Sequence, residues 1–256
     1  MSVKNKLEEF KPKKELAEYV NSYWFFKNDT DEMISWPVVP DGCSDIIFYL
    51  KDSKKLDGLE DTFVAGIMEY AELVPISNGM QLFGIRFNPA VLYYLLNTDM
   101  KKLANDMREL RQINNEIYKN LKIDENAEEQ FIIANIEKQL EKLFLNNNFC
   151  DEFLKIVKDI AENPQVEIKE LSEKYNFPIK KLERTFYKRV GLAPKKFARI
   201  MRFQKAHKEI SRQGLENLVV VALSSGYFDQ AHFNREYKKL VGFNPSNETV
   251  SILYNK

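Results

Sequence analysis

A short cationic pattern occurs twice near the C-terminal end of the chain, at residues 182–194 and again at residues 233–245. Both copies place an apolar residue, Arg, an aromatic residue, Lys, Val, Gly and Pro in register, so that Arg184 matches Arg235 and Gly191 matches Gly242. Ionised Arg and Lys side chains donate strong hydrogen bonds to anionic oxygens. The repeat therefore indicates two copies of a structural unit that binds an anionic partner.

The charge distribution supports this interpretation. The whole chain has equal numbers of acidic and basic residues, but residues 166–256 hold 18 Lys and Arg against 9 Asp and Glu. Residues 178–212 hold 12 basic residues and 2 acidic ones. A strongly basic segment beside an acidic one is typical of chains whose basic part contacts nucleic acid or another anionic surface.

Each copy of the pattern is preceded by a second helical segment. Ile168, Leu171 and Tyr175 recur at helical spacing, and Pro178 suits the first turn of a following helix that Gly191 ends. The first helix-turn-helix unit is thus expected at about residues 166–191 and the second at about 216–242, where Asp229 is placed to cap a helix. Residues 195–212 predict a connecting helix about 27 Å long.

These segments resemble the DNA-binding domain of the AraC/XylS-type transcription regulators. The second unit carries the resemblance through Gly226-Tyr227-Phe228-Asp229, His232-Phe233, Arg235, Tyr237-Lys238, Gly242 and Pro245. The first unit matches through Leu182, Arg184, Phe186, Lys188, Gly191 and Pro194, and the connecting helix through Arg202 and Ala206. Asn176 departs from the family, which usually has Gly at this turn.

The resemblance implies a bacterial, cytoplasmic transcription regulator, such as an activator, that binds double-stranded DNA at a promoter or operator. A helix fits the major groove, where Arg pairs with guanine and Gln or Asn with adenine. The side chains expected at bases or nearby phosphates are Lys180, Glu183, Arg184, Gln230, Asn234 and Arg235. Those expected at phosphates are Lys188, Lys195, Lys196 and Lys239. The alternative for the two arginines is an internal ion pair that braces their own domain.

The two histidines are not among the residues expected to read bases. His232 is expected on the helix surface or beside phosphates, and His207 is expected in solvent.

The front of the chain has a different character. Short apolar runs at residues 45–50, 62–67 and 81–87, with the turn signal Pro40-Asp41-Gly42, predict a small β-barrel or sandwich. The expected fold class is therefore α+β, with a β-rich sensory domain at 1–95, a helical linker or dimerisation region at 96–149 and the DNA-binding domain at 150–250. Ile133, Ile136, Leu140 and Leu143 form one helical face, which fits either a homodimer seam or packing on the chain's own body.

The β-rich part resembles, more weakly, an uncharacterised domain that is often fused to such regulators. This resemblance rests on Tyr23-Trp24, on Val39 to Gly42 and on Gly84 to Pro89, and it implies a sensory or dimerising role. Trp24 and Trp36 could line a cavity for a small-molecule effector, although such aromatic residues more often belong to the core. Arg86 could neutralise an acidic effector or pair with Asp45. A protein partner is the alternative to a metabolite, and RNA polymerase is a further partner implied by the family.

Other classes of function are disfavoured. Both histidines lie in the helical block, so the front domain offers no imidazole to a metal-dependent enzyme, and no metal or cofactor is predicted. No phosphate-binding GxxxxGK loop occurs. Cys43 and Cys150 are isolated and are expected to be packed, reduced thiols, and a Cys43 nucleophile is the alternative. Neither a membrane span nor a secretory signal is expected.

Overall fold

The computed structural model describes residues 5–59, 61–145 and 152–246, and its first half is built on β-strands. The strands are β1 (Asn5–Phe10), β2 (Val20–Asn28), β3 (Ile34–Val38), β4 (Ser44–Tyr49), β5 (Phe63–Ala65), β6 (Glu72–Ile76), β7 (Gln81–Phe87) and β8 (Met107–Glu109). The runs expected as strands coincide with β4, β5 and β7. Gly42 adopts a φ of 82° in the predicted turn before β4.

The strands form two antiparallel sheets. The larger sheet has the order β1-β2-β7-β4-β5-β8, and β3 pairs with β6 in a smaller second sheet. The larger sheet is an open, six-stranded one and is not closed into a barrel, so the sandwich-like alternative describes it better. Aromatic and aliphatic side chains such as Trp24, Phe26 and Ile76 fill the space beside the smaller sheet. The expected α+β class is confirmed.

The other face of the larger sheet is covered by helices. These are α1 (Val91–Leu96), α2 (Leu110–Ile113), α3 (Asn115–Asn120) and α4 (Glu129–Leu145). In α4, Ile132, Ile136, Leu140 and Phe144 are buried in one cluster with residues of the sheet. The helix therefore packs on the chain's own body, as one of the two alternatives had it. Its buried face is rotated slightly, because Ile133 and Leu143 lie at the edge of that cluster.

In the C-terminal part, all of the described secondary-structure elements are helices. Its helices are α5 (Glu152–Glu162), α6 (Ile168–Lys174), α7 (Ile179–Arg189), α8 (Pro194–Gln213), α9 (Leu218–Ser224) and α10 (Gln230–Val241). They bury a second core that includes Phe153, Phe186, Phe197, Phe203 and Phe233, and Ile67 and Ala90 of the front part also join it. The expected linker Asn146 to Asn148 and the tail from Asn247 lie outside the described residues.

The proposed domain limits stay predictions, although the two large clusters separate the β-rich part with α1 and α4 from most of the C-terminal helices. In the described portion of the chain, none of the helices combines the length and the apolar character that crossing a membrane would demand.

Candidate nucleic-acid interface

The first helix-turn-helix unit consists of α6 and α7. Between them, Asn176 adopts a φ of 44°, in the left-handed region that Gly usually occupies. Asn tolerates this conformation better than other residues with a side chain, which explains how the chain departs from the family pattern without losing the turn. Leu182 and Phe186 anchor α7 in the core, and this leaves the opposite face of the helix exposed.

The second unit consists of α9 and α10, and its turn passes through Gly226 with a φ of 91°. Asp229 caps α10, because its carboxylate accepts a hydrogen bond of 2.6 Å from the backbone N–H of His232. The imidazole Nδ1 of His232 in turn accepts from the N–H of Phe228 at 3.3 Å. The ring of Tyr227 packs against Phe233 with centroids 5.2 Å apart. His232 thus helps to close the turn.

The two units share one backbone design. The N–H of Phe177 donates to the carbonyl of Ser172, and the N–H of Tyr227 donates in the same way to Ala222. The second turn is one residue longer, since α7 begins at Ile179 after its cap at Pro178, whereas α10 begins after Phe228 and Asp229. The backbones of the two turns therefore match except at this inserted position.

Helix α8 joins the two units over 20 residues, about 30 Å at 1.5 Å per residue. Its buried face carries Phe197, Phe203 and Ile210, as the sequence predicted. On another face, Arg202 lies 5.6 Å from the ring centroid of Tyr227, and Arg199 lies 3.7 Å from the carboxylate of Glu236 in α10. The second unit is consequently fixed to the connecting helix by both packing and charge.

The residues predicted to contact DNA lie on the surface or at its edge. Exposed side chains are those of Lys180, Glu183, Arg184, Lys188, Lys195, Lys196, Arg235 and Lys239, and partly buried ones are those of Gln230, His232 and Asn234. Over residues 152–246 and the other described ranges, Arg184 and Arg235 make no ion pair, so the alternative of an internal brace has no support there. Their contacts with DNA stay a prediction.

The β-rich part docks on the connecting helix through a buried carboxylate. Glu69 is 7% exposed at its side chain and lies 2.7 Å from the ammonium of Lys196 and 3.6 Å from the guanidinium of Arg199. The hydrogen bond from Lys196 to Glu69 holds the pKa of this lysine above its usual value. The hydroxyl of Tyr70 also donates to Glu69 at 2.9 Å. One of the predicted phosphate contacts is thus already paired with a carboxylate.

The docking also reaches α7 and α10. The N–H of Ala71 donates to the carbonyl of Leu240, near the end of α10, at 2.7 Å. At the end of α7, the guanidinium of Arg189 donates to the hydroxyl of Tyr94 at 2.6 Å. A third contact lies at the middle of α8, where the amide of Gln204 donates to the carbonyl of Pro40 at 2.6 Å. The N-terminal halves of α7 and α10 are left outside this interface.

Two of the residues predicted to contact an effector, Arg86 and Trp24, have carboxylate partners within the protein. Arg86 lies opposite Asp45 on neighbouring strands and its guanidinium is 3.4 Å from that carboxylate, 3.1 Å from Asp41 and 3.1 Å from Glu9. The indole N–H of Trp24 donates to Asp45 at 2.7 Å. Burial raises the pKa of Asp45 to about 6, against the opposing effect of Arg86. Arg86 therefore has internal carboxylate partners, as its alternative interpretation had it.

Trp36 lies in the smaller sheet and packs on Phe26, with ring centroids 4.6 Å apart. Burial raises the pKa of the Cys43 thiol well above its usual value, which disfavours a nucleophilic role. Cys150 is outside the described residues. Among the residues that the structure describes, no group of three or more His, Cys, Asp or Glu side chains is placed to hold a metal ion.

Two features were not found from the sequence. The expectation that His207 is solvated is wrong, because it is 8% exposed and stacks on Phe203 with centroids 5.2 Å apart. The signal was present, since His207 follows Phe203 by four residues and precedes Ile210 by three, on the apolar face of α8. The Glu69 contact had no such signal, because 127 residues separate it from Lys196.

Two family models match separate parts of the chain. Residues 171–248 match the model of a helix-turn-helix domain, and residues 8–109 match a domain of unknown function, DUF6597. No curated protein matches the sequence.

Several solved structures are similar to the chain. A probable AraC family transcriptional regulator from Rhodopseudomonas palustris CGA009 is 27% identical over 38% of this chain and 93% of its own, with a TM-score of 0.34. ToxT from Vibrio cholerae is 12% identical over 96% of this chain and 97% of its own, with a TM-score of 0.43. Unsaturated fatty acid bound wild-type ToxT from Vibrio cholerae strain SCE256 is 14% identical over 98% of this chain and 96% of its own, with a TM-score of 0.45.

Proposed function

This chain carries an AraC-type helix-turn-helix domain behind a domain of unknown function, and we propose that it regulates transcription by inserting α7 and α10 into successive major grooves of an operator. The observation that carries the proposal is the exposure of the N-terminal halves of these two helices, in two units of one design. In helix-turn-helix proteins this part of the second helix reaches the base edges. The helix-turn-helix domain itself supports a DNA-binding transcription regulator.

The connecting helix supports the spacing. Successive major grooves on one face of B-form DNA lie about 34 Å apart, and α8 of 20 residues spans about 30 Å. A rigid rod of this length holds two reading helices at a separation of the right order. Rigid joining also lowers the entropic cost of binding the second half-site once the first is bound.

The proposed roles follow the chemistry of the side chains. Arg184 and Arg235 donate to guanine or to a neighbouring phosphate, with Lys180 and Glu183 beside the first and Gln230 and Asn234 beside the second. Lys188, Lys195, Lys196 and Lys239 neutralise phosphates, which positions the protein without specifying a sequence.

Selection of bound fragments from a random DNA library by the full chain tests the proposal. Arg184→Ala and Arg235→Ala should each cost about 1–3 kcal/mol of binding to the selected site and relax the preference at one base position. Arg108→Ala serves as the matched control, since Arg108 is 50% exposed, pairs with Asp106 and lies in β8 of the front part. Unchanged sequence preference in both recognition-helix variants would contradict the assigned roles.

We also infer that the β-rich part controls DNA binding through its docked interface. Glu69 engages Lys196 and Arg199, so its contact both holds the connecting helix and offsets cationic charge that DNA would use. A small-molecule effector or a protein partner acts in this scheme by binding the docked and undocked states with different affinity, because only differential affinity shifts such an equilibrium. A homodimer and a contact with RNA polymerase stay predictions.

A further inference from the structure

An aliphatic wall is exposed on the outer face of α9. Val219, Val220 and Leu223 are 53%, 57% and 55% exposed. Phe228, in the turn that follows, is 86% exposed. A hydrophobic residue just before a helix cap often packs on the first turns of its helix, but here Tyr227 takes that place against Phe233 and Phe228 is left in solvent.

The repeat provides an internal comparison for this wall. The shared hydrogen bonds of the two turns place Val219, Val220 and Leu223 at the positions that Lys169, Glu170 and Glu173 occupy in α6. All three residues of the first unit are exposed. Phe228 is the additional residue of the second turn and has no counterpart in the first. The same backbone thus presents charge in one unit and apolar surface in the other, which ordinary solvent exposure does not explain.

The wall forms one side of a cleft of about 580 Å³ between α9 and the beginning of α10. The cleft is lined by Val219, Leu223, Phe228, Asp229, Gln230, Ala231 and Asn234. Asp229 is the only charged residue of this lining, and its carboxylate is occupied by capping α10. A cleft without a cation is a poor match for a phosphate.

The polar groups of the cleft are amides. Gln230 and Asn234 are two of the residues already proposed to read bases, and Ala231 lies between them on the exposed surface of α10. Within the described residues, the Oδ1 atom of Asn234 has no hydrogen-bond partner. This oxygen is buried, so the amide has an unused acceptor that a turn of the Asn234 side chain would bring into the cleft.

We propose that this cleft reads A·T base pairs, with the apolar wall receiving the 5-methyl group of thymine and the amides pairing with adenine. This inference rests on the proposed function and specifies which half-site the second unit takes. Among the base edges of the major groove, the thymine methyl is the apolar group, and Asn or Gln is the side chain that pairs with the N6 and N7 atoms of adenine. Gln230 and Asn234 line the same cleft as the apolar side chains, so a base pair that enters it meets both kinds of group.

The first unit has a different chemistry at the corresponding positions. Lys180 takes the place of Ala231, and Glu183 takes the place of Asn234. The operator is consequently asymmetric, with an A·T-rich half-site under α10 and a half-site of different composition under α7.

Replacement of thymine by deoxyuridine tests the proposal, since it removes the methyl group and leaves Watson–Crick pairing intact. The full chain is first used to select bound fragments, and each thymine of the selected site is then replaced singly while affinity is measured by fluorescence anisotropy. One or two thymines in a single half-site should each lose affinity about fourfold, the factor for one buried methyl group at about 0.8 kcal/mol. Equal affinity for thymine and uracil at every position would overturn the inference.

A pair of variants assigns the effect to the cleft. Phe228→Ser should remove the distinction between thymine and uracil, whereas Phe243→Ser should keep it, because Phe243 is also exposed but lies beyond α10 and outside the cleft. If Phe228→Ser keeps both the affinity and the thymine dependence, the wall faces a protein instead and the inference is overturned. Failure to select any fragment would contradict the proposed function as well, and the inference with it.

Discussion

Two adjacent lysines of α8 should differ in their contribution to DNA binding. Lys195 and Lys196 are both exposed and were both predicted to contact phosphates, but only Lys196 is paired with Glu69, at 2.7 Å. Within the described ranges, Lys195 makes no ion pair. We therefore expect Lys195→Ala to weaken the salt dependence of DNA binding more than Lys196→Ala does.

The magnitude follows from counterion release. Each phosphate that a lysine neutralises contributes about −0.9 to the slope of the logarithm of affinity against the logarithm of salt concentration. Lys195→Ala should flatten the slope by about 0.9, so its loss of affinity is about 3.5 times greater at 50 mM than at 200 mM salt. Lys196→Ala should flatten it by less than half as much, because the carboxylate of Glu69 already offsets that charge. In a Glu69→Gln background, Lys196→Ala should regain the full effect.

Fluorescence anisotropy of a selected DNA fragment, titrated at several salt concentrations, gives these slopes. Glu72→Gln is the matched control, since Glu72 is exposed in β6 and close in sequence to Glu69. Equal slopes for Lys195→Ala and Lys196→Ala in the presence of Glu69 would refute the reasoning, because Glu69 would then have left Lys196 when DNA bound.

Two further predictions concern stability. Asn176→Ala should lower the free energy of unfolding by about 1 kcal/mol because a β-carbon disfavours the left-handed φ of 44°, and Asn176→Gly should not; thermal unfolding compares the two. Burial lowers the pKa of His207 to about 4 from 6.5, so the unfolded state binds the proton more readily and the resulting stability, complete above pH 6.5, is lost as the pH falls toward 4. Denaturant unfolding should therefore show that the free energy of unfolding of the unmodified protein falls by about 2 kcal/mol between pH 7.5 and 5, and that this loss is missing in His207→Phe. An identical pH dependence in the two proteins would rule this out.

The C-terminal fold could be predicted because its signals are local. The apolar spacing and the Gly-x-x-Pro ending give α7, found at Ile179–Arg189, and the cap at Asp229 gives the start of α10. Even the departure at Asn176 is local, since the side chain itself tolerates the left-handed conformation. Whether the individual side chains of these helices touch DNA is a separate matter, and it stays a prediction.

The front part was less predictable because its contacts join distant residues. The face of α4 was assigned by spacing alone, and spacing does not distinguish Ile133 and Leu143 from Ile132 and Phe144 as its edges. The larger sheet, which contains β4 and β7, decides between them, because its side chains share one core cluster with the buried face of α4. The pairing of Arg86 with Asp45 was open for the same reason, since it depends on which strands are neighbours.

The contacts of the β-rich part reach both of the helices that we propose enter the major groove. Arg189 is held at the end of α7 through Tyr94, and Leu240 is held at the end of α10 through Ala71. Both contacts lie at the C-terminal ends of these helices, so they leave accessible the N-terminal ends that we propose read bases. We therefore expect a change in this docking to act on both helices at once. In the proposed scheme, a signal that favours the docked or the undocked state changes how the two helices are presented to DNA.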